Sequence, residues 1–123
     1  MQNDKAKFKN EFKKRIYTFA LQIIKFIDNL PHNTTCDTIG KQLIRSSTSI
    51  GANVIEASAA SSKRDYTNFF NHALKSANET KFWIGLLRDS GKADNIKSNK
   101  LLKEVSEIAN ILASSIITLK GKR

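Results

Sequence analysis

The sequence predicts an all-α protein, an antiparallel up-down-up-down four-helix bundle that forms a single domain over residues 1–123. Three observations support this prediction. Apolar residues recur at steps of three and four in four long stretches, which is the spacing of one face of a helix. The breaks between these stretches are short, and short connections favour antiparallel neighbours. The chain contains only 5 Gly and 1 Pro, too few for the many turns of a β-sandwich or barrel.

The first two helices are predicted at about 6–30 and 36–59, on either side of Pro31. Proline lacks the amide hydrogen and disfavours helical geometry in the residue before it, so Pro31 ends the first helix. Thr34 or Thr35 is the expected N-cap of the second. The first apolar stripe comprises Phe8, Phe12, Ile16, Phe19, Ile23, Phe26 and Leu30. The second comprises Cys36, Gly40, Leu43, Ser47, Ile50, Val54 and Ala57, and its small residues would let a neighbouring helix approach closely.

The third and fourth helices are predicted at about 63–89 and 96–120. Ser62 is the expected N-cap of the third helix, and Gly91 is its expected C-terminal stop. The third stripe comprises Tyr66, Phe70, Ala73, Ala77, Thr80, Ile84 and Leu87. The fourth comprises Leu101, Val105, Ile108, Leu112, Ser115 and Leu119.

Two helices carry more apolar residues than one core face requires. The third adds Phe69, Phe82, Trp83 and Leu86, and the first adds Ala20, Ile24 and Ile27. A helix that is apolar on more than one face usually has a second partner, so the sequence favours self-association. A single broad core face is the alternative.

Positive charge is concentrated at the two ends of the chain. The formal net charge is +10, from 21 Lys and Arg against 11 Asp and Glu. Such a balance favours a polyanionic partner, RNA or DNA, bound through phosphate contacts and without base-reading motifs. The candidate nucleic-acid-binding residues are Lys5, Lys7, Lys9, Lys13, Lys14, Arg15, Lys120, Lys122 and Arg123. Alternatively, the basic ends serve only to keep the protein in solution.

The inventory of catalytic and ligand-binding residues is small. His32 and His72 are the two histidines, and Cys36 is the one cysteine. No phosphate-binding glycine loop, metal-ligand spacing or nucleophile motif occurs, so we expect no catalytic residue, metal or cofactor. Cys36 is expected to be a buried or half-buried structural residue. The absence of a long apolar run predicts a cytoplasmic protein with no membrane role.

One enzyme hypothesis remains, a ribonuclease of the HEPN type, which places an arginine and a histidine on one helix face. Arg64, Asp65 and His72 are the candidates. Eight positions along a helix amount to about 800°, so Arg64 and His72 would point about 80° apart. Asp65 shares the face of His72 but lacks the positive charge that a phosphorane-like transition state requires. We therefore expect a non-enzymatic protein.

A polar stripe follows the second helix, opposite its small apolar stripe. Its residues lie at steps of four, four and three, and two more polar residues lie three apart on the third helix. The second helix contributes Arg45, Ser49, Asn53 and Glu56, and the third contributes Ser76 and Glu79. If Glu79 and Arg45 approach each other across the helices, this group forms a network of charge-assisted hydrogen bonds. Otherwise it is a solvated helix face.

The residues of this stripe resemble the motif of the bacterial four helix bundle protein family. That family includes proteins encoded in intervening sequences of 23S ribosomal RNA genes, and it is similar to the accessory variability determinant of diversity-generating retroelements. The family pattern is approximately R-x-A-x-S-I-x-x-N-I-A-E-G, followed by F-L-x-x-A-x-G-S-x-x-E. The matching positions are Arg45, Ser49, Ile50, Asn53, Glu56, Ala73, Ser76 and Glu79. The chain departs from the pattern at Ile55, Ala57 and Lys75.

The resemblance implies a four-helix bundle that assembles into a barrel-shaped homopentamer with a basic surface. The leading hypothesis is therefore a non-enzymatic homo-oligomer that binds RNA or DNA. A protein-interaction adaptor ring with no nucleic-acid role is the alternative. Under either hypothesis we interpret a set of motif residues as structural or intersubunit groups. These are Arg45, Ser49, Asn53, Glu56, Ser76, Glu79 and Trp83.

Overall fold

Four antiparallel helices enclose one apolar core. The computed structural model describes residues 3–121. Its helices are α1 (Asp4–Asp28), α2 (Thr34–Ala57), α3 (Lys63–Asp89) and α4 (Asn95–Gly121). Each helix packs on the next along the chain and α4 returns to α1, while no close backbone approach occurs along either diagonal of the described bundle. The predicted all-α bundle is confirmed.

The core is built from the apolar stripe of each helix. Side chains with no exposed surface come from all four helices, among them Phe19, Ile23, Leu43, Ile50, Ile84, Leu87, Val105, Ile108 and Leu112. Cys36 is buried at 2% exposure, as predicted. Phe8 differs from its prediction, because 52% of its surface is exposed although it continues the α1 stripe. At Phe8 the helical period is intact, but the other three helices no longer cover it.

The four helices are not equally spaced around the core. α2 and α3 pack most closely, and α1 and α4 are the most widely separated neighbours. Gly51 of α2 lets α1 approach, since a Cβ at that position would lie 3.2 Å from Ile16 Cγ2. The wide separation of α1 from α4 leaves room for a cleft at one end of the bundle.

The helix ends differ from their predicted positions by up to two residues. α1 ends at Asp28 rather than at Leu30, because the geometry before Pro31 already excludes a further helical turn. The predicted N-cap of α2 is wrong. Asn33 is the cap, and its Oδ1 accepts a hydrogen bond from the amide of Cys36 at 2.8 Å. Thr34 and Thr35, predicted as caps, lie inside α2.

The start and stop signals of α3 are confirmed. Ser62 is its N-cap, and the Ser62 Oγ accepts a hydrogen bond from the amide of Asp65 at 3.0 Å. Gly91 follows the C-cap Ser90 with a φ of 76°, a backbone conformation that favours glycine.

Replacing Asn33 with alanine is expected to lower the free energy of unfolding by ~1 kcal/mol, because the amide of Cys36 loses its acceptor. Thr34→Ala is the matched control and should change stability by less than about 0.5 kcal/mol. Urea denaturation of both variants measures the difference. A larger loss for Thr34→Ala would place the cap one residue later.

Candidate nucleic-acid interface

A cleft opens at the end of the bundle that holds the N-terminus of α1. The start of α3, the C-terminal part of α4 and the chain at the end of α2 complete its walls. Its volume is about 910 Å³. The apolar lining includes Phe8, Phe12, Val54, Tyr66, Phe70, Ile111 and Leu119. A volume of this size lies in the range of ligand-binding clefts, roughly 300–1,000 Å³.

Lysines from two helices line the same cleft. Lys5, Lys9 and Lys13 follow one another at steps of four along α1, so that they share one side of the helix, and Lys63 lies at the start of α3. Lys13 Nζ donates a hydrogen bond to Ser58 Oγ at 2.8 Å. This hydrogen bond holds one ammonium group at the edge of the apolar lining.

Aromatic rings lie beside these ammonium groups. Lys9 Nζ lies 5.5 Å from the centroid of the Tyr66 ring, within the range of a cation–π contact. Burial raises the pKa of the Tyr66 phenol. The Tyr66 and Phe70 rings stack with centroids 4.9 Å apart, and the Phe8 and Phe12 rings stack at 6.3 Å.

Further basic side chains lie on the helix segments at this end of the bundle, and together with the cleft lysines we call them the basic end. Its members are Lys5, Lys7, Lys9, Lys13, Lys14, Lys63, Arg64 and Lys120. Lys7, Lys14 and Lys120 are exposed, as a phosphate-binding role requires. The predicted residues Lys122 and Arg123 lie outside the described residues. Lys63 and Arg64 were not among the predicted nucleic-acid-binding residues, although the antiparallel order already places the start of α3 at the same end of the bundle as that of α1.

Arg15 is the predicted nucleic-acid-binding residue whose placement differs from the others. Its guanidinium pairs with Glu104 at 2.7 Å and also with Glu107, both on α4. The hydrogen bond from Arg15 to Glu104 is the main cause that holds the pKa of Arg15 above its usual range. These ion pairs join α1 to α4. Because two carboxylates compensate the charge of Arg15, we do not include it in the basic end.

The residues of the family motif form a polar seam between α2 and α3. Arg45 and Glu79 form an ion pair across the two helices, so the predicted contact exists. Trp83 Nε1 donates to Glu79 Oε2 at 3.0 Å. One turn away, the hydroxyls of Ser49 and Ser76 lie 3.0 Å apart, and both residues are half-buried. The stripe therefore flanks the core along the α2–α3 contact, and its predicted place opposite the apolar stripe is wrong.

The seam continues inward and along α2. Asn53 Nδ2 donates to the Ser49 carbonyl oxygen at 2.8 Å. The buried hydroxyls of Ser46 and Thr80 lie 2.9 Å apart and form a deeper layer that the sequence analysis missed. Glu56 is exposed, and among residues 3–121 no hydrogen bond or ion pair reaches its carboxylate. Glu56 is thus the motif residue left with a free charge at the surface of the described chain.

Glu79→Ala is expected to lower the free energy of unfolding by ~1 kcal/mol, because the half-exposed Arg45 guanidinium and the Trp83 indole both lose their acceptor. Glu56→Ala is the matched control in the same motif, and it should change protomer stability by less than about 0.5 kcal/mol. Chemical denaturation at low protein concentration provides the comparison. Equal losses for the two variants would mean that Glu56 has a structural partner within the protomer.

The extra apolar residues of α1 and α3 divide into two groups. Phe69, Trp83, Ala20 and Ile27 are half-buried. Phe82, Leu86 and Ile24 are exposed, by 58%, 39% and 41%, and Tyr17 and Leu21 extend the exposed surface of α1. The described chain therefore presents apolar surface on the outer faces of both helices.

Over residues 3–121, no helix is long and apolar enough to cross a membrane.

The candidate ribonuclease residues lie at the start of α3. Arg64 and His72 are exposed, and Asp65 is half-buried. Asp65 Oδ2 accepts a hydrogen bond from the amide of Ser61 at 3.3 Å, so its carboxylate takes part in the connection before α3.

Two comparisons with known proteins agree with this architecture. The family described as 23S rRNA-intervening sequence protein matches residues 9–114. A crystal structure from Bacteroides thetaiotaomicron VPI-5482, of a protein with unknown function from the S23 ribosomal protein family, is 35% identical with a TM-score of 0.82. The match covers 88% of this chain and 96% of that chain. A search of curated proteins gives no match. Since the family match spans most of the helical bundle, the chain belongs to the 23S rRNA-intervening sequence protein family.

Proposed function

We propose that this protein is a non-enzymatic homo-oligomer that binds RNA or DNA at its basic end, without strong sequence preference. One observation carries the proposal. Eight basic side chains lie on the segments of α1, α3 and α4 that form one end of the bundle, and four of them line the cleft, namely Lys5, Lys9, Lys13 and Lys63. Within residues 3–121 none of the eight forms an ion pair. By contrast, Arg15, Arg45 and Arg88 are each paired with a carboxylate.

Unpaired cations on a surface favour phosphate contacts, because each contact releases counterions from the nucleic acid. The acidic residues in the segments that form this end of the bundle are few, namely Asp4, Glu11, Glu56 and Asp65. Lysine ammonium groups contact phosphate as point charges, and phosphate contacts carry no direct information about base sequence. Binding should therefore tolerate changes of sequence.

The exposed apolar side chains support self-assembly. Phe82 and Leu86 on α3, and Tyr17, Leu21 and Ile24 on α1, leave apolar surface that a second copy would cover. The family resemblance suggests five copies. In a ring of copies the basic ends would act together, and several weak phosphate sites on one particle bind more tightly than one alone.

Size-exclusion chromatography with light scattering, recorded at two absorbance wavelengths, tests the proposal. We expect a mass of about five chains, roughly 69 kDa from 13.8 kDa each, with nucleic acid that travels in the same peak and dissociates at high salt. A monomer of 13.8 kDa would contradict the assembly. Failure to bind added RNA and DNA at low salt would contradict the nucleic-acid role.

An adaptor for another protein is the second candidate, and the exposure of Phe82 beside the half-buried Trp83 favours it. This function predicts no nucleic-acid binding at physiological salt. It also predicts that Phe82→Asp abolishes capture of the partner, while Lys5→Gln leaves capture unchanged. The reverse pattern would favour the nucleic-acid role.

A further inference from the structure

The cleft at the basic end alternates ammonium groups with aromatic rings. Along α1 the order is Lys5, Phe8, Lys9, Phe12 and Lys13, and all five side chains line the cleft. Tyr66 and Phe70 of α3 line the same cleft. Interleaved lysines and aromatic rings in a groove are typical of surfaces that bind single-stranded nucleic acid, where the lysines contact phosphates and the rings stack on bases.

The two outermost rings are the ones that a base could reach. Phe8 is 52% exposed, whereas its stacking partner Phe12 is 6% exposed. Tyr66 is half-buried, and its stacking partner Phe70 is 6% exposed. Each pair thus has an inner ring fixed in the core and an outer ring at the cleft, and the Lys9 ammonium has to move away from the Tyr66 ring before a base can stack there. An outer ring supported in this way loses little side-chain freedom when a base stacks on it.

The shape of the site distinguishes single strands from duplexes. In a duplex each base is stacked between its neighbours and its faces are covered, so only the phosphates can reach the lysines at the rim. An unpaired base has free faces and can enter an apolar concave surface. The volume of about 910 Å³ leaves room for bases in addition to the rim contacts.

We infer that the cleft is a binding site for the unpaired bases of single-stranded nucleic acid, with Phe8 and Tyr66 as stacking platforms. This inference rests on the proposed function, because it assumes that the basic end holds the phosphates. It adds a preference for single strands over duplexes of the same sequence.

Fluorescence anisotropy with labelled oligothymidine of about 20 nucleotides, and with the same strand paired to oligoadenosine, tests the inference at equal salt. Phe8→Leu and Tyr66→Leu keep apolar volume but remove the aromatic face. Each should weaken single-strand binding by about 5-fold or more and leave duplex binding unchanged. Ile96→Ala is the control, because Ile96 is 69% exposed at the start of α4, at the other end of the bundle, and it should leave both affinities unchanged.

The outcomes separate this inference from the proposed function. Equal affinity for single strand and duplex, with no effect of Phe8→Leu, would overturn the inference and leave phosphate binding intact. Absence of binding to both probes would overturn both. Displacement of the single strand by polyglutamate of equal charge would also overturn the inference, since an acidic peptide would then suffice. A fall in the mass of Phe8→Leu would overturn it by assigning the cleft to a contact between copies.

Discussion

Replacing Lys5, Lys9 and Lys13 together with glutamine is expected to lower the affinity for single-stranded nucleic acid ~100-fold at 0.1 M salt. The estimate follows from counterion release, because three lost phosphate contacts reduce the salt slope by about 2 for a single strand. The three side chains lie on one side of α1 at the edge of the cleft, so the replacement removes charge from one place. Anisotropy titrations at several salt concentrations measure both the affinity and the slope.

A matched triple variant at the far end of the bundle controls for total charge. Lys25, Lys41 and Lys97 are exposed and lie near the end of α1, the start of α2 and the start of α4. Their replacement by glutamine removes the same charge and should lower affinity by less than about 10-fold, through long-range attraction alone. Equal losses for the two triple variants would mean that net charge, and not the basic end, governs binding.

Phe19→Ala is expected to lower the free energy of unfolding by ~3–5 kcal/mol, because Phe19 is fully buried and its removal leaves a cavity among the four helices. Urea denaturation with one cooperative transition measures the loss.

Thr18→Ala, one residue earlier on the same helix, is the control. Thr18 is exposed, so the change should cost less than about 0.5 kcal/mol. Similar costs at the two positions would contradict the assignment of the core face of α1.

The sequence predicted the helices and the core well, because both depend on local pattern. A period of three to four residues identifies one face of a helix wherever partner helices are present, as at Ile23 and Leu43. The same rule misplaced Phe8, since periodicity does not reveal where the neighbouring helices stop covering α1. The cap of α2 was misplaced by one or two residues, because Asn33, Thr34 and Thr35 are all residue types that favour the N-cap position.

The candidate site was predicted less completely, because it depends on contacts between distant parts of the chain. Arg15 was assigned to the basic surface, yet it pairs with Glu104 and Glu107, which lie about 90 residues away along the chain. The sequence around Arg15 contains no signal of this pairing. The polar stripe of α2 was placed opposite the core, whereas the close packing of α3 turns it into a seam through the Arg45–Glu79 pair. Lys63 was not predicted because only the packing of the helices brings the start of α3 to the cleft that α1 lines.

The polar seam and the basic end differ in the property that we expect each to determine. The seam, which contains most of the family motif, joins α2 to α3 within one protomer through Glu79, Ser49 and Ser76. The basic end lies outside that motif and, under the proposed function, supplies the charge for binding. We therefore expect substitutions in the seam to change stability first, and substitutions at the basic end to change affinity without a change in stability.

The salt dependence of binding is the most direct test of the central claim, that the basic end holds nucleic acid through phosphate contacts. The logarithm of the association constant for oligothymidine should fall linearly with the logarithm of salt concentration. With about five or six lysines of one protomer engaged, the expected slope is roughly −4. A slope near zero would contradict phosphate contacts as the source of affinity, and with them the proposed function.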